Sequence, residues 1–215
     1  VINSKNVEFV GIHCHIGSQI FELKPFELAV EKMTDFIVRI NSELRTEVKE
    51  LNLGGGYGVR YTDEDKPLKP QEYVGAIVAK LNECVKTKKI FKPRLIIEPG
   101  RSIVGEAGIT LYTVGAIKDI LGIKKYVSVD GGMFDNPRYA LYEAKYEALL
   151  AARMNDEKTE TVTVAGKCCE SGDMLVVDAL LPPAKSGDLL AVLTTGAYNY
   201  SMASNYNRNA IPPVV

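Results

Sequence analysis

The chain has 215 residues, of which 46% are apolar and 25% charged, and 26 Lys plus Arg against 27 Asp plus Glu leave a net charge of -1. These values exclude a disordered or collagen-like chain and allow one large domain or two small ones around a sizeable core. No basic stripe suggests a nucleic-acid face, and no apolar run approaches the ~20 residues of a membrane span.

In chain order, Val7–Ile12 is a short β-branched and apolar run. Residues 25–44 repeat Phe26, Ala29, Val30, Met33, Phe36, Ile37 and Ile40 at spacings of three and four, which predicts a helix. A second strand at Val48–Leu53 stops at three glycines. Pro70 opens a second helix with Val74, Ile77, Val78, Leu81 and Val85 on one face. Arg94–Ile97 is a third strand, closed by Pro99-Gly100. Strands alternating with helices of this length predict βαβ units and a parallel sheet.

Beyond residue 102 the pattern turns to mostly antiparallel β. Candidate strands are Ile109–Ile117, Tyr126–Val129, Thr159–Val164, Met174–Leu181 and Leu189–Leu193, separated by turn signals such as Gly131-Gly132, Pro182-Pro183 and Ser186-Gly187. One inserted helix is expected near 137–154, with Leu141, Ala144, Ala148 and Leu149 as its buried stripe. A parallel sheet needs both faces covered, and a complete eight-fold barrel takes ~250 residues. The expected organisation is therefore α/β plus β. Residues 1–101 form the last three βα units of a TIM barrel whose N-terminal half is missing, and residues 102–215 form a C-terminal β domain. The chain starts Val1-Ile2-Asn3 without a signal-peptide pattern and reads as a piece of a longer polypeptide. Cys14, Cys84, Cys168 and Cys169 match neither a disulfide framework nor a zinc site, so a reducing, cytoplasmic setting is expected.

The residues suited to chemistry lie at strand ends: His13-Cys14-His15-Ile16-Gly17-Ser18, Gly54-Gly55-Gly56, and Glu98-Pro99-Gly100-Arg101. In α/β barrels the C-terminal strand ends form the active face. Gly54-Gly55-Gly56 is either a plain turn or a phosphate nest, and it lacks the spacing of a nucleotide or dinucleotide loop. His13 and His15 point one way and Cys14 the other, so a metal set lacks its third ligand and no metal is expected. A histidine in such a cluster either stacks on a planar ring, with Ser18 near a phosphate, or is simply hydrogen-bonded within the fold. Glu98 leaves an apolar strand; its partner is either Arg101 or a proton on a cofactor's ring nitrogen. Cys169, in Cys168-Cys169-Glu170-Ser171-Gly172-Asp173, is a candidate proton donor or an inert thiol. Arg138 and Tyr198 are loop-borne, and arginine reads carboxylates bidentately.

Together these stretches resemble the diaminopimelate decarboxylase family, within the alanine-racemase-like fold type of pyridoxal-phosphate enzymes. The matching segments are residues 11–19, Asn52-Leu53-Gly54-Gly55-Gly56-Tyr57-Gly58, Glu98-Pro99-Gly100-Arg101, Asp130-Gly131-Gly132-Met133, Asn136-Pro137-Arg138-Tyr139-Ala140-Leu141-Tyr142, Cys169-Glu170-Ser171-Gly172-Asp173 and Gly196-Ala197-Tyr198. The resemblance spans nearly the whole chain. It implies pyridoxal 5'-phosphate as cofactor and decarboxylation of meso-2,6-diaminopimelate to L-lysine and CO₂. His15 would stack on the cofactor ring, and Ser18, Gly54, Gly55, Gly56, Gly100 and Arg101 would hold its phosphate. Glu98 would pair with the pyridine nitrogen. Arg101, Arg138 and Tyr142 would hold the substrate's far carboxylate and Glu170 its distal amino group. Cys169 would return a proton to the carbon that loses CO₂, and Tyr198 would touch cofactor and substrate. The site would be shared across a homodimer interface.

Two departures stand out. Gly166-Lys167-Cys168 replaces the family's Gly-Pro and apolar residue before the reactive cysteine. The family's Schiff-base lysine segment, of the type Ala-x-Lys-Ala-Asn, does not occur, so the isolated piece is expected to be inactive, and to be poorly soluble or to need its missing half. The competing readings are a sister decarboxylase acting on ornithine, lysine or carboxynorspermidine, and a non-catalytic homologue.

Overall fold

The computed structural model describes residues 4–215. The chain divides into two compact units. One runs up to Val59 and includes Lys66–Ser102; the other comprises Arg60–Asp65 and Ile103–Val215.

In the first unit, β1 (Gly11–His13), β2 (Glu50–Asn52) and β3 (Arg94–Ile96) form a parallel sheet in that order, with Ile12, Leu51 and Leu95 on one rung. The crossovers that parallel strands require are α1 (Lys24–Leu44) and α2 (Pro70–Lys88). Side chains sort by the strand period of two. Ile12, Cys14, Leu51, Leu53, Leu95 and Ile97 pack into one cluster with Phe26, Val30 and Ile37 of α1 and Tyr73, Ile77 and Leu81 of α2. Burying each large apolar side chain contributes about 2 kcal/mol. The opposite phase, His13, His15, Asn52 and Glu98, is left for the site. Proline lies in the first turn of both helices, and each ends on a left-handed residue, Arg45 (φ 50°) and Lys89 (φ 52°).

The second unit holds β4 (Thr110–Ile120), β5 (Lys124–Val129), β6 (Ala148–Leu150), β7 (Glu160–Ala165), β8 (Met174–Leu181) and β9 (Leu189–Val192), in the order β6-β9-β4-β5-β7-β8. The sheet is mixed: β5 and β7 are parallel and the other neighbours antiparallel. Alternate residues such as Tyr112, Val114, Val127, Val129, Val162 and Val164 are buried.

Two expectations need correction. The first strand begins at Gly11 rather than Val7, and Val7 and Val10 are exposed. The helix expected near 137–154 is reduced to a short turn, α4 (Arg138–Tyr142), closed by Glu143 at φ 52° with its N–H donating to the Tyr139 carbonyl at 2.8 Å, and a 3₁₀ turn at Ala151–Arg153. Leu141 is exposed, while Ala148 and Leu149 lie in β6 and pair with Val192 and Ala191. The segment has strong helix formers, but β9 presents an open edge, and pairing with that edge outweighs intrinsic propensity. Among the described residues no helix is long and apolar enough to cross a membrane.

Candidate functional site

The three parallel strands end on one edge of their sheet, and backbone hydrogen bonds carry the ladder beyond the strands. Cys14 N–H donates to the Asn52 carbonyl (2.9 Å), Leu53 N–H to Ile96 (3.1 Å) and Glu98 N–H to Gly54 (2.6 Å). The glycines follow from crowding at this edge. Gly54 and Gly56 have φ of 65° and 101°, and a Cβ on Gly54 would sit 2.8 Å from His15 Nδ1. A Cβ on Gly55 would run into the Glu98 carbonyl, and one on Gly56 into that of Gly17. Only glycine combines the left-handed turn with such close approach.

Side chains meet over this cradle. Gly55 N–H donates to His15 Nδ1 at 3.4 Å, and Arg101 Nη2 donates to Ser18 Oγ at 2.9 Å. Gly100 opens the short helix α3 (Gly100–Val104), and its own N–H is engaged by the Glu98 carbonyl at 2.9 Å. Glu98 is held by Asn52, whose Nδ2 donates to Oε1 at 2.7 Å, while His13 Nε2 lies 3.8 Å from Oε2. Cys14 packs on the other face among apolar side chains, where burial pushes its thiol up.

In the second unit Arg138 is only 7% exposed. Its guanidinium carbon lies 5.5 Å from the Tyr61 ring centre, 5.8 Å from Tyr142 and 5.9 Å from Tyr198. It forms no ion pair with any carboxylate of the described residues, and its Nε has no hydrogen-bond partner there. Aromatic faces attract a cation but do not neutralise it, so a buried guanidinium of this kind suits an incoming anion. Tyr146 flanks the group: its hydroxyl donates to Asn199 Oδ1 at 3.3 Å, and burial, partly offset by the Arg138 charge, pushes it up to about 12. Tyr198 presents its ring from a left-handed residue, φ 62°.

Cys169 and Glu170 lie in the exposed turn between β7 and β8. The turn is anchored from inside by Asp173, whose Oδ1 accepts Met133 N–H and Oδ2 accepts Cys168 N–H, both at 2.6 Å. Cys169 N–H donates to Asn207 Oδ1 at 3.2 Å, and the Tyr206 hydroxyl donates to Glu170 at 3.5 Å. Burial and the nearby Asp173 charge push the Cys168 thiol up to about 11.

The structure thus gathers the candidate residues into three groups. His15, Ser18, Gly54, Gly55, Gly56, Glu98, Gly100 and Arg101 line the sheet edge of the first unit. Arg138, Tyr142 and Tyr198 meet in the second, and Cys169 with Glu170 occupy its exposed turn. Asn52 and Asp173, which the sequence offered only as parts of longer motifs, and Tyr61 also take part in these groups. Asn52 had one local signal, a polar residue between the buried Leu51 and Leu53; Tyr61 had none.

The family model described as "Pyridoxal-dependent decarboxylase, pyridoxal binding domain" matches residues 1–105. The diaminopimelate decarboxylase of Bacillus subtilis (strain 168) is 53% identical over 215 residues, covering 100% of this chain and 49% of that protein. The crystal structure of diaminopimelate decarboxylase from M. jannaschii superposes with a TM-score of 0.89 at 37% identity, over 98% of this chain and 47% of that one. The same enzyme in co-complex with L-lysine gives 0.86 at 38% identity, over 94% and 45%. Residues 1–105, just under half of the chain, thus resemble the pyridoxal-binding domain of pyridoxal-dependent decarboxylases, and the chain over its whole length is similar to diaminopimelate decarboxylases. The chain spans about half the length of these relatives.

Proposed function

We propose that, within the full-length polypeptide that carries them, these residues serve the pyridoxal-phosphate-dependent decarboxylation of meso-2,6-diaminopimelate to L-lysine and CO₂. The observation that carries the substrate choice is Arg138, a buried guanidinium among three tyrosine rings with no ion-paired carboxylate among the described residues. Diaminopimelate brings a second carboxylate at its far end; ornithine and lysine bring only an amine, which would leave that charge buried and unpaired.

The residues fit the cofactor. Ser18 and Arg101 bring a hydroxyl and a guanidinium together at the strand ends, the donor types that a phosphate takes. Gly54, Gly55, Gly56, Ser18 and the Gly100-Arg101 segment would hold the phosphate, and His15 would stack on the ring. When bound, pyridoxal phosphate would supply an electron sink for the pair left on the substrate carbon as CO₂ departs. Glu98 would hold the proton at the ring nitrogen. Arg138, with Tyr142 and Arg101, would fix the distal carboxylate, and Glu170 the distal amino group. Tyr198 would lie against cofactor and substrate. The Cys169 thiol would deliver the proton that replaces CO₂.

Residues 1–101 would then be the last three βα units of an alanine-racemase-like barrel and 102–215 its C-terminal β domain. The Schiff-base lysine would come from residues outside this chain, because no Ala-x-Lys-Ala-Asn segment occurs in it. The enzyme would be a cytoplasmic homodimer. The exposure of Cys169 and Glu170 supports their serving the neighbouring subunit's cofactor.

The test is Arg138→Ala in the full-length protein. Its kcat/KM for diaminopimelate should fall about 100-fold or more, the scale for losing a buried charge pair, with the absorbance of bound cofactor retained. Unchanged kinetics would sink the assignment.

A further inference from the structure

We infer that Asn52 is a positioning residue that ties the glycine loop to Glu98. The inference rests on the reading above, in which Glu98 holds the proton on the cofactor's ring nitrogen. Asn52 is the last residue of β2 and shares a rung with His13 and Ile96. Its neighbours Leu51 and Leu53 are buried on the helix side, so strand alternation sends Asn52 to the face that bears the site.

There its two amide atoms do different work. Nδ2 donates to Glu98 Oε1 at 2.7 Å, and Oδ1 accepts the Gly54 N–H at 2.9 Å. One side chain therefore joins the carboxylate on β3 to the first glycine of the loop after β2. The Glu98 N–H closes the circuit by donating to the Gly54 carbonyl at 2.6 Å. The residue type follows from the two bonds. A carboxylate could accept from Gly54 but not donate to Glu98, and an aliphatic side chain could do neither. The Glu98 side chain is 55% exposed, so its freedom to change rotamer must be removed by directed bonds rather than by packing. Asn52 removes it before any ligand arrives, which is what preorganisation of an electrostatic group requires.

The test uses the full-length protein loaded with pyridoxal phosphate carrying ¹⁵N in its ring. In Asn52→Leu and Asn52→Ala, which lose both bonds, cofactor affinity should fall about tenfold, the scale for a hydrogen bond to a charged group. The ring ¹⁵N resonance should move toward its unprotonated position at a pH where the wild type is still protonated. A residue that merely stabilised the loop would weaken binding without moving that resonance. In a Glu98→Gln background the Asn52→Leu change should move the resonance no further, because the group it acts through is gone. Wild-type uptake of the cofactor with an unmoved resonance in both Asn52 variants overturns the Asn52 role alone. A wild-type protein that takes up no pyridoxal phosphate overturns the decarboxylase reading, and this inference with it.

Discussion

The Asp173 carboxylate accepts the backbone N–H of Cys168 at 2.6 Å, packed so closely that Cβ atoms on Gly132 and Gly166 would strike it. Asp173 is 4% exposed and also holds Met133 N–H, so it joins the turn bearing Cys169 and Glu170 to the loop after β5. Asp173→Ala leaves two backbone donors without their acceptor. Each such loss costs about 1–3 kcal/mol, so urea denaturation should show a fall of about 2–4 kcal/mol. A fall below about 0.5 kcal/mol would mean that the turn keeps its shape by other means.

The same carboxylate governs the Cys168 thiol, which burial and the Asp173 charge raise from 9.0 to about 11. An acid whose ionisation is suppressed in the fold stabilises the folded state fully below its ordinary value. That contribution is lost as pH rises through about 11. Alkylation of Cys168, followed by mass spectrometry of its peptide, should therefore climb only at strongly alkaline pH. Asp173→Asn removes the neighbouring charge, and the climb should begin at lower pH. An onset at an ordinary thiol value in the unmutated protein would contradict the packing around Asp173.

Gly55→Ala places a methyl group on the Glu98 carbonyl. The two strand ends must separate, so cofactor uptake should drop more than about tenfold and the melting temperature should fall with it. Gly75, inside α2 with no atom within 4 Å of an added Cβ, is the contrasting site. Gly75→Ala should stabilise the protein by about 0.5–1 kcal/mol, the helix-propensity difference. Equal melting shifts for the two variants would refute the close approach at Gly55.

Tyr61 offers one of the aromatic faces around Arg138, at 5.5 Å. If the proposed function holds, Tyr61→Leu in the full-length protein should raise KM for diaminopimelate about two- to fivefold while kcat changes little, the scale of a cation–π contact of about 0.5–1 kcal/mol. Tyr61→Phe, which keeps the ring, should restore the wild-type value. A Phe variant as poor as Leu would assign the effect to the hydroxyl instead.

Much of the first unit is legible from residue types alone. Phe26, Val30, Ile37 and Ile40 repeat at helical spacing and are buried. Leu51 and Leu53 alternate with Asn52 as a strand requires, and Gly54-Gly55-Gly56 marks the strand end. The segment 143–150 shows the opposite. Glu143 to Leu150 reads as helix, yet Ala148–Leu150 is a strand because β9 has an edge to fill. The partner of Glu98 was equally hidden. No local pattern pointed to Asn52, 46 residues earlier, whose Nδ2 donates to the Glu98 carboxylate, or to Ser18 as an acceptor for Arg101 Nη2.

The residues by themselves determined α1 and α2, the strand ends of the first unit, the glycine loop and the motifs that carry the family resemblance, because periodicity, proline and glycine act within a few residues of chain. Only the tertiary structure decided which side chains close on one another: Asn52 on Glu98, Tyr61 on Arg138, Asp173 on Cys168, β6 on β9. Hydrogen bonds and ring contacts reach only a few ångströms, so a partner far along the chain is selected by strand register and packing, which no local pattern records.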